Sequence, residues 1–335
     1  MKVLMFPYSD LNPYQRLLAG GLNSNGIDVS FDKNSFSLGK ILNPRFDLLH
    51  LHWLPTDPIR RIYLLKRILL LKTKGVPVVW TVHNLYSHGG GGAVELRYRR
   101  IVARIVSKII CHCTLAKDLI VEDYKVSPNK VRVVPHGNYA SIYPSLMDKE
   151  TARKRLDLPS TGLVFLHFGM IKEYKGVPEL IRSFKRIKDR ATLLIAGKID
   201  SPALEKKIRA LRGEDKRIRL NFGYVSDEDT NIYFSAVDCA VFPYTDILTS
   251  GTVSLAATFG RAVIAPMVGC IPSQTDQDGK LLYDLNDKDG LLKVLTDSFQ
   301  EDLSILGNKN FEKSKELTWN KIARETAKVY EEALR

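Results

Sequence analysis

The chain has 335 residues, of which 44% are hydrophobic and 50 are Lys or Arg against 37 Asp or Glu, giving a formal net charge of +13. This length suits two globular domains, and the ordinary composition excludes a disordered or low-complexity chain. No apolar run is long enough to span a membrane, and the first residues, MKVLMFPYSD, are too poor in apolar side chains to predict a signal peptide.

Positive charge is concentrated in the first half of the chain. Residues 1–150 hold 21 Lys and Arg against 11 Asp and Glu, whereas residues 151–335 hold 29 against 26. A basic surface attracts nucleic acid, anionic lipid or a phosphate-bearing substrate. There is no basic-aromatic motif, helix-turn-helix pattern or zinc-finger spacing, so no nucleic-acid partner is expected. The Cys111-His112-Cys113 triplet has no second pair at ligand spacing, so no metal site is expected.

Short apolar segments alternate with helical patterns along the first half, which is typical of a parallel α/β sheet. The predicted strands are Val3–Phe6, Asp47–His52, Val76–Val82, Lys108–Cys113 and Val131–Val134, and the predicted helices are Tyr14–Ser24, Pro58–Lys74, Ala93–Val106 and Leu115–Tyr124.

A polar segment with a proline near each end, Tyr143–Thr161, interrupts this alternation and predicts a linker. The alternation then restarts, with predicted strands at Leu163–His167, Ala191–Ala196, Ile218–Phe222, Asp238–Phe242 and Ala262–Ala265, and predicted helices at Val177–Lys188, Pro202–Arg212, Asp227–Ser235 and Ser250–Phe259. We therefore expect one domain at residues 1–150, a second at 151–318 and an amphipathic C-terminal helix at 319–335. The expected fold class is α/β, with two doubly wound Rossmann-like domains facing each other across a cleft, because such sheets bind ligands at the carboxyl ends of their strands.

A set of short motifs runs in order through both halves of the chain. They are His50-Leu51-His52-Trp53, Trp80–Asn84 and Val134–Tyr139 in the first half, and Phe168-Gly169 with Lys175-Gly176, Leu194–Gly197, Val241–Tyr244 leading into Thr249–Gly251, and Gly260–Pro266 in the second. No single motif is specific, but the ordered set resembles the glycosyltransferases of the GT-B fold, the group 1 type enzymes that use nucleotide sugars to build surface polysaccharides.

The resemblance implies an enzyme that moves a hexose from a UDP- or GDP-sugar to a lipid-linked oligosaccharide during exopolysaccharide or other cell-surface glycan synthesis. The acceptor would be linked to polyprenyl diphosphate. No cofactor or metal is expected, since cationic side chains and a helix N-terminus stabilise the leaving diphosphate in such enzymes. The C-terminal helix would pack back toward the N-terminal domain.

The stretch Tyr244–Pro266 carries the strongest indication of a donor site. A strand runs into a polar loop, and a helix of small residues starts at Ser250-Gly251-Thr252. The amides of such a helix start bind phosphate, although an ordinary helix cap gives the same pattern. Lys175 also stands at a helix start, where a cation is unfavourable without an anionic ligand. The expected donor-binding residues are Gly169, Lys172, Lys175, Asp246, Thr249, Ser250, Gly251 and Thr252.

His83 follows a buried strand directly, and the resemblance places this histidine in the cleft near the donor sugar. His88 lies beside four glycines, Gly89–Gly92, which predict either a mobile loop that closes on substrate or a plain surface loop. An inverting reaction needs a general base, and the candidates are Asp10, His83, His88 and Glu95; a retaining reaction needs none. Asn84, Glu95 and His136 are expected on the acceptor side, with a structural role as the alternative for His136.

Two departures from the family pattern bear on the donor. Many relatives carry two glutamates across the loop and helix that here read Leu248–Ala256, a segment without an acid, and many carry Arg where Met170 follows Gly169. These differences leave the nucleotide, the sugar and the stereochemistry open. They also keep two alternatives in view: a nucleotide-sugar epimerase on the same fold, and a non-catalytic saccharide-binding protein.

Two predicted helices of the basic half, in the segments Pro58–Lys74 and Glu95–Ile110, combine cations with aliphatic residues. Such helices can lie on an anionic membrane, where each nearby Lys or Arg contributes about 1 kcal/mol of attraction. Sheet-packing helices with solvated basic faces are the alternative. With the basic excess of the first half, we expect contact with an anionic membrane surface, and a cytoplasmic enzyme held peripherally at the inner face of the plasma membrane.

Overall fold

The computed structural model describes residues 1–10, 12–33, 38–86 and 92–335. They form two compact units, one of Met1–Gly137 with Leu317–Arg335 and one of Asn138–Glu316. The change of unit lies at Gly137, upstream of the boundary expected at residue 150. Asn138 and Tyr139 belong to the second unit, because the Asn138 side chain donates to the Ser314 carbonyl at 2.9 Å and the Tyr139 amide donates to Thr258 Oγ1 at 3.1 Å.

The described part of the first unit contains a six-stranded parallel sheet of order β2-β1-β3-β4-β5-β6. The edge strand β2 escapes sequence prediction because three of its four residues are exposed, so it lacks an apolar pattern. The strands are β1 Lys2–Phe6, β2 Asp28–Phe31, β3 Leu48–Leu51, β4 Val78–Thr81, β5 Lys108–Cys111 and β6 Val131–Val133, and the helices are α1 Pro13–Ser24, α2 Leu38–Leu42, α3 Pro58–Thr73, α4 Gly92–Ile105 and α5 Thr114–Tyr124.

The second unit repeats this architecture with the strand order β12-β11-β10-β7-β8-β9, all parallel. The segment expected as a linker contains a helix, because Asp148 caps it by accepting the Thr151 amide at 2.8 Å and Arg153 pairs with Asp238 at 2.7 Å. The strands are β7 Leu163–Phe168, β8 Ala191–Gly197, β9 Ile218–Phe222, β10 Cys239–Val241, β11 Ala262–Pro266 and β12 Leu282–Tyr283, and the helices are α6 Lys149–Arg155, α7 Val177–Lys185, α8 Pro202–Arg212, α9 Asp227–Ala236, α10 Gly251–Thr258, α11 Ile271–Gln274, α12 Gly290–Asp297 and α13 Leu303–Lys315.

The last helix, α14 (Trp319–Leu334), lies in the first unit. It packs closely on α1, since a Cβ on Gly21 would stand 2.4 Å from the Trp319 carbonyl oxygen, so only glycine fits there. Ile322 and Tyr330 join the apolar core of the first sheet. Within the described residues, no helix combines the length and apolar character needed to cross a membrane.

Each sheet has one point where the strand order reverses. In the first unit, β1 lies between β2 and β3, and in the second, β7 lies between β10 and β8. The connections that follow the two strands at such a point run to opposite sides of the sheet. The carboxyl ends of these strands therefore open a crevice, where α/β proteins bind ligands. The residues at these ends are Phe6 and His52 in the first unit, and Gly169 and Phe242 in the second.

Candidate active site

Lys175 lies against two tyrosine rings near the reversal point of the second sheet. It ends a short 3-10 turn, Glu173–Lys175, between β7 and α7. Its Nζ is 4.1 Å from the centroid of the Tyr244 ring and 5.3 Å from that of Tyr174. Ring faces stabilise a cation, and no carboxylate among the described residues lies within the 4.0 Å of an ion pair with this amine. The half-buried charge is therefore positioned by aromatic rings and can bind an anionic ligand.

The turn that carries Lys175 is closed by Gly176. Its φ of 70° is left-handed, and a Cβ there would stand 1.9 Å from the Pro243 carbonyl oxygen. Glycine is required here because other residues rarely adopt this backbone conformation and because a side chain would collide with the Pro243 backbone. Pro243 directly precedes Tyr244, and this contact therefore sets the position of the lysine relative to the ring beneath it.

Three hydroxyl groups meet at the start of α10. Tyr244 OH is 2.5 Å from Thr252 Oγ1 and accepts a hydrogen bond from Ser250 Oγ at 3.1 Å. Ser250 caps the helix, since its Oγ accepts the Val253 amide at 3.3 Å. The amides of Gly251 and Thr252 have no acceptor within the helix. This end of α10 thus presents N–H donors and the positive end of the helix dipole beside Lys175 and Tyr244.

Gly169, at the end of β7, completes this group. Its φ is 101°, and a Cβ there would stand 3.0 Å from Thr252 Cγ2. The structure therefore brings together five of the predicted donor residues: Lys175, Ser250 and Thr252 contact Tyr244, Gly169 lies beside Thr252, and Gly251 lies between Ser250 and Thr252 in the chain. We call this group the diphosphate cradle, after the ligand expected to bind there. It consists of Gly169, Lys175, Ser250, Gly251 and Thr252.

The other three predicted donor residues have different surroundings. Lys172 Nζ is 4.0 Å from Asp200 Oδ1, so part of its charge is already balanced. Asp246 is exposed on the loop before α10. Thr249 directs its hydroxyl to Cys270 Sγ at 3.6 Å. None of these contacts includes a cradle residue, and the structure gives these three less support as phosphate ligands.

Five histidines cluster in the first unit, each at or just beyond the carboxyl end of one of the strands β3 to β6. Four of them surround the buried Tyr14 ring, with centroid distances of 4.9–5.8 Å. The fifth, His50, is 4.1 Å from His52, as expected for neighbours on one face of a strand. The members of this histidine cluster are His50, His52, His83, His112 and His136.

Burial keeps the histidine cluster neutral. Desolvation lowers the pKa of His50 and His136 to about 3 and that of His112 to about 4. The pKa values of His52 and His83 are also lowered well below the ordinary value, first by desolvation and then by the neighbouring histidines. At neutral pH these rings therefore act as hydrogen-bonding groups without charge.

His83 is the one member of the histidine cluster that is partly exposed. Its Nε2 is 3.2 Å from His52 Nδ1, and its ring stacks on Trp53 at a centroid distance of 5.0 Å. His52 Nε2 is buried without a hydrogen-bond partner among the described residues. This arrangement holds the His83 ring in one orientation and leaves its Nδ1 as the atom turned away from His52.

Two members of the histidine cluster have hydrogen bonds typical of structural residues. His50 lies between Thr81 Oγ1 and Tyr330 OH, each at 2.7 Å. His136 is buried, and its Nδ1 is 2.7 Å from the Gly137 carbonyl oxygen. These bonds favour the structural interpretation of His136 over an acceptor-side role.

The other candidates for the general base in the first half of the chain have different surroundings. Asp10 is exposed and pairs with Lys33 at 2.5 Å. Glu95 is buried and pairs with Arg99 at 2.7 Å, and Arg99 also donates to the Asn84 carbonyl at 3.1 Å. This pair holds the backbone after His83, so Glu95 acts as a support there. His88 lies outside the described residues.

Comparisons with known proteins place the chain in a family. Residues 18–138 match Glycosyltransferase Family 4, and residues 162–300 match Glycosyl transferases group 1. A GDP-mannose:glycolipid 4-beta-D-mannosyltransferase of Xanthomonas campestris pv. campestris is 30% identical over 270 residues, which cover 78% of this chain and 71% of the relative. This chain belongs to the group 1 glycosyltransferases.

Solved structures of low sequence identity show the same fold. A sucrose-phosphate synthase from Thermosynechococcus elongatus superposes with a TM-score of 0.78 at 16% identity and covers 98% of both chains. The Anabaena protein HepE, in complex with UDP and glucose, superposes with a TM-score of 0.76 at 16% identity and covers 99% of both chains. The glycosyltransferase described here therefore has the GT-B fold, as its sequence predicts.

In this glycosyltransferase a neutral side chain, Gln274, binds the loop before α10 and the first turn of that helix. Gln274 accepts the Ser250 amide at 3.1 Å and donates to the Ser250 carbonyl at 2.8 Å and to Ser254 Oγ at 2.7 Å. Three hydrogen bonds fix the loop before the helix without adding negative charge. Met170, at the position where many relatives carry Arg, is exposed, so Lys175 is the sole side-chain cation of the diphosphate cradle.

Several residues of this glycosyltransferase escaped sequence reasoning. Tyr174 and Tyr244 hold Lys175, and Trp53 stacks on His83. In the sequence, however, Tyr174 reads as an ordinary turn residue and the other two as ordinary strand-end aromatics. Tyr244 ends the Val241–Tyr244 motif, and its place three residues after β10 is the signal that could have identified it. The contact of Tyr14 with the histidine cluster has no local signal, because it joins α1 to strands far along the chain.

Proposed function

We propose that this glycosyltransferase transfers a mannosyl group from GDP-mannose to a lipid-linked saccharide in cell-surface glycan synthesis. The observation that carries the donor assignment is the diphosphate cradle, where one oriented cation and a helix N-terminus converge. Charge develops on the leaving diphosphate during transfer, and fixed donors aimed at it lower the barrier. The name of the Xanthomonas relative supports GDP-mannose and a glycolipid; the HepE complex makes UDP-glucose the second donor to test.

We assign the acceptor chemistry to His83. GDP-mannose carries its sugar in α linkage, and the relative's name specifies a β product, so the corresponding reaction here inverts the anomeric carbon and needs a general base. His83 has a lowered pKa and is neutral at pH 7. When its Nε2–H donates to His52 Nδ1, its own Nδ1 carries the lone pair that accepts the proton of the acceptor hydroxyl. The hydroxyl oxygen bonds to the anomeric carbon, and GDP leaves with the electrons of the broken bond.

We also propose that this chemistry needs no metal and takes place at the inner face of the plasma membrane. Lys175 and α10 supply the positive charge at the diphosphate, so transfer should survive EDTA. Helix α3 supports the membrane location, because Ile59 and Ile62 are 65% and 55% exposed beside Arg60 and Lys66.

The first experiment is a thermal-shift panel with GDP, UDP, ADP, CMP and dTDP in EDTA. A ligand at a hundred times its dissociation constant stabilises a protein by about 2.7 kcal/mol, which gives a clear shift. We expect GDP to give the largest shift. Transfer from labelled GDP-mannose to short-chain prenyl-diphosphate-linked mono- and disaccharides then tests the reaction.

The outcomes separate the proposal from its alternatives. A labelled glycolipid that forms only when donor and acceptor are both present supports the proposal. Conversion of the donor without any acceptor would identify an epimerase instead. Binding of a glycan with no turnover of any nucleotide sugar would contradict transfer by this chain and favour a saccharide-binding protein.

A further inference from the structure

A cavity of about 360 Å³ opens at the reversal point of the first sheet. Its walls come from the end of β1 (Phe6), the segment after β3 (Trp53 and Leu54) and the first turns of α3 (Tyr63 and Leu64). The volume falls within the roughly 300–1,000 Å³ of small-ligand pockets. The five side chains are apolar or aromatic, so the cavity favours a hydrocarbon or a stacked ring.

Cations line the same cavity. Arg60 and Arg67 contribute from α3, and Lys33 from the segment after β2. Lys33 is paired with Asp10, whereas the exposed Arg60 guanidinium has no ion-pair partner among the described carboxylates. An apolar cavity lined by guanidinium groups is complementary to an anionic amphiphile, and arginine binds phosphate by paired hydrogen bonds.

The cavity adjoins the proposed base. Trp53 lines it and stacks on His83 at 5.0 Å. On its outer side, α3 continues as an exposed apolar surface in which Ile59, Ile62 and Leu69 are 48–65% exposed. A ligand in the cavity therefore has one end near His83 and the other toward a surface suited to a lipid bilayer.

We infer that this cavity binds the diphosphate and the first isoprene units of a prenyl-diphosphate-linked acceptor. Arg60 and Arg67 bind the diphosphate, the aromatic and aliphatic walls hold the isoprene units, and the attached saccharide lies toward His83. The inference rests on the proposed transfer to a lipid-linked acceptor and adds the lipid-binding residues to it.

Binding of farnesyl diphosphate to the full chain tests this inference without an activity assay. Trp53 lines the cavity, whereas Trp80 and Trp319, the other two tryptophans, are 1% and 7% exposed. We expect farnesyl diphosphate to change the Trp53 fluorescence and to bind about tenfold or more tightly than pyrophosphate or farnesol, because each lacks one half of the interaction. Trp53→Phe should abolish the signal while calorimetry still detects binding.

Matched variants on one helix separate site binding from general attraction. Arg60→Gln and Arg67→Gln should each weaken the binding of farnesyl diphosphate by about tenfold, because each removes a charge-assisted hydrogen bond. Lys66→Gln removes the same charge from an exposed position of α3 outside the cavity lining and should leave the affinity unchanged. All three should retain wild-type affinity for GDP.

Three results would overturn the inference: no binding of farnesyl diphosphate, equal losses in Arg60→Gln and Lys66→Gln, or adsorption to phosphatidylglycerol vesicles without farnesyl diphosphate binding. If GDP binds and a water-soluble saccharide is glycosylated while farnesyl diphosphate is not bound, the lipid site fails and the proposed transfer stands. If no nucleoside diphosphate binds, the proposed function fails instead.

Discussion

Among single residues, the proposed donor site depends first on Lys175. Lys175→Ala should lower turnover by about 100-fold or more, since it removes the one side-chain cation of the diphosphate cradle, which we propose stabilises the leaving group. The fold should be retained because the side chain is half-exposed. Lys172→Ala is the matched control, and we expect a much smaller loss because Lys172 faces Asp200. Steady-state rates of GDP release measure both, and similar losses would contradict the assignment.

His83 predicts a particular pH dependence. The base must be neutral to accept a proton, and the pKa of His83 is lowered well below 6.5 by burial and by neighbouring histidines. The value of kcat/KM should therefore stay constant as pH falls through 6.5 and decline only at more acidic pH. His83→Gln should lower kcat/KM by about 100-fold or more. An acidic limb centred at pH 6.5 or above, or an active His83→Gln variant, would reject His83 as the base.

The sequence predicts the residue types of the diphosphate cradle but not how they are held. Lys175 and Ser250 are recognisable because a cation and a hydroxyl at helix starts have local physical meaning. The tyrosine that orients them gives no such signal, since its role depends on contacts between β10, the turn after β7 and the start of α10. Glu95 reads as a possible base until its buried pairing with Arg99 is seen.

At the scale of elements, the turn between β7 and α7 is the part most sensitive to change. Gly176→Ala should destabilise the second unit by about 1–3 kcal/mol through backbone strain, and more through the clash with Pro243. Turnover should fall as well, because Lys175 moves off the Tyr244 ring. Gly279→Ala has the same left-handed backbone in open space, so it should cost only the backbone strain of about 1–3 kcal/mol, without the added clash. If Gly176→Ala and Gly279→Ala had equal effects on the free energy of unfolding and on turnover, the contact of Gly176 with Pro243 would not be what positions this turn.

Most elements were predictable because a parallel sheet buried on both faces has strong apolar patterns. The sequence predicts a boundary at residue 150, whereas the units divide after Gly137, because Asn138 and Tyr139 bind residues of the second unit. The helix Lys149–Arg155 is not predicted for a related reason. Its sequence, KETARKR, has one buried alanine and one buried arginine in place of an apolar stripe.

At the scale of the whole molecule, the histidine cluster should make the first unit sensitive to acid. Its members have an ordinary pKa near 6.5 when unfolded and lowered values when folded. Between these values the unfolded chain binds more protons, so stability is fully present above pH 6.5 and is lost as pH falls toward 4. Carboxylates have ordinary pKa values near 4 and are mostly still ionised at pH 5.5, so histidine protonation dominates the loss of stability down to that pH.

Tryptophan fluorescence can follow this loss, because Trp53, Trp80 and Trp319 all belong to the first unit. Urea unfolding at pH 8.5, 7.5 and 5.5 should give a nearly constant free energy of unfolding between the first two values and a clear fall at the third. A free energy of unfolding that is unchanged or higher at pH 5.5 would show that the histidines are accessible to protons in the folded state.

Calorimetric titration of the protein with GDP and UDP, repeated with Lys175→Ala, in EDTA, is the sharpest test of the proposed donor site. We expect GDP to bind more tightly than UDP without metal, and we expect Lys175→Ala to weaken GDP binding by about tenfold or more through the lost charge-assisted contact. If neither nucleotide binds, or if Lys175→Ala binds GDP as tightly as the wild type, the diphosphate cradle is not the donor site.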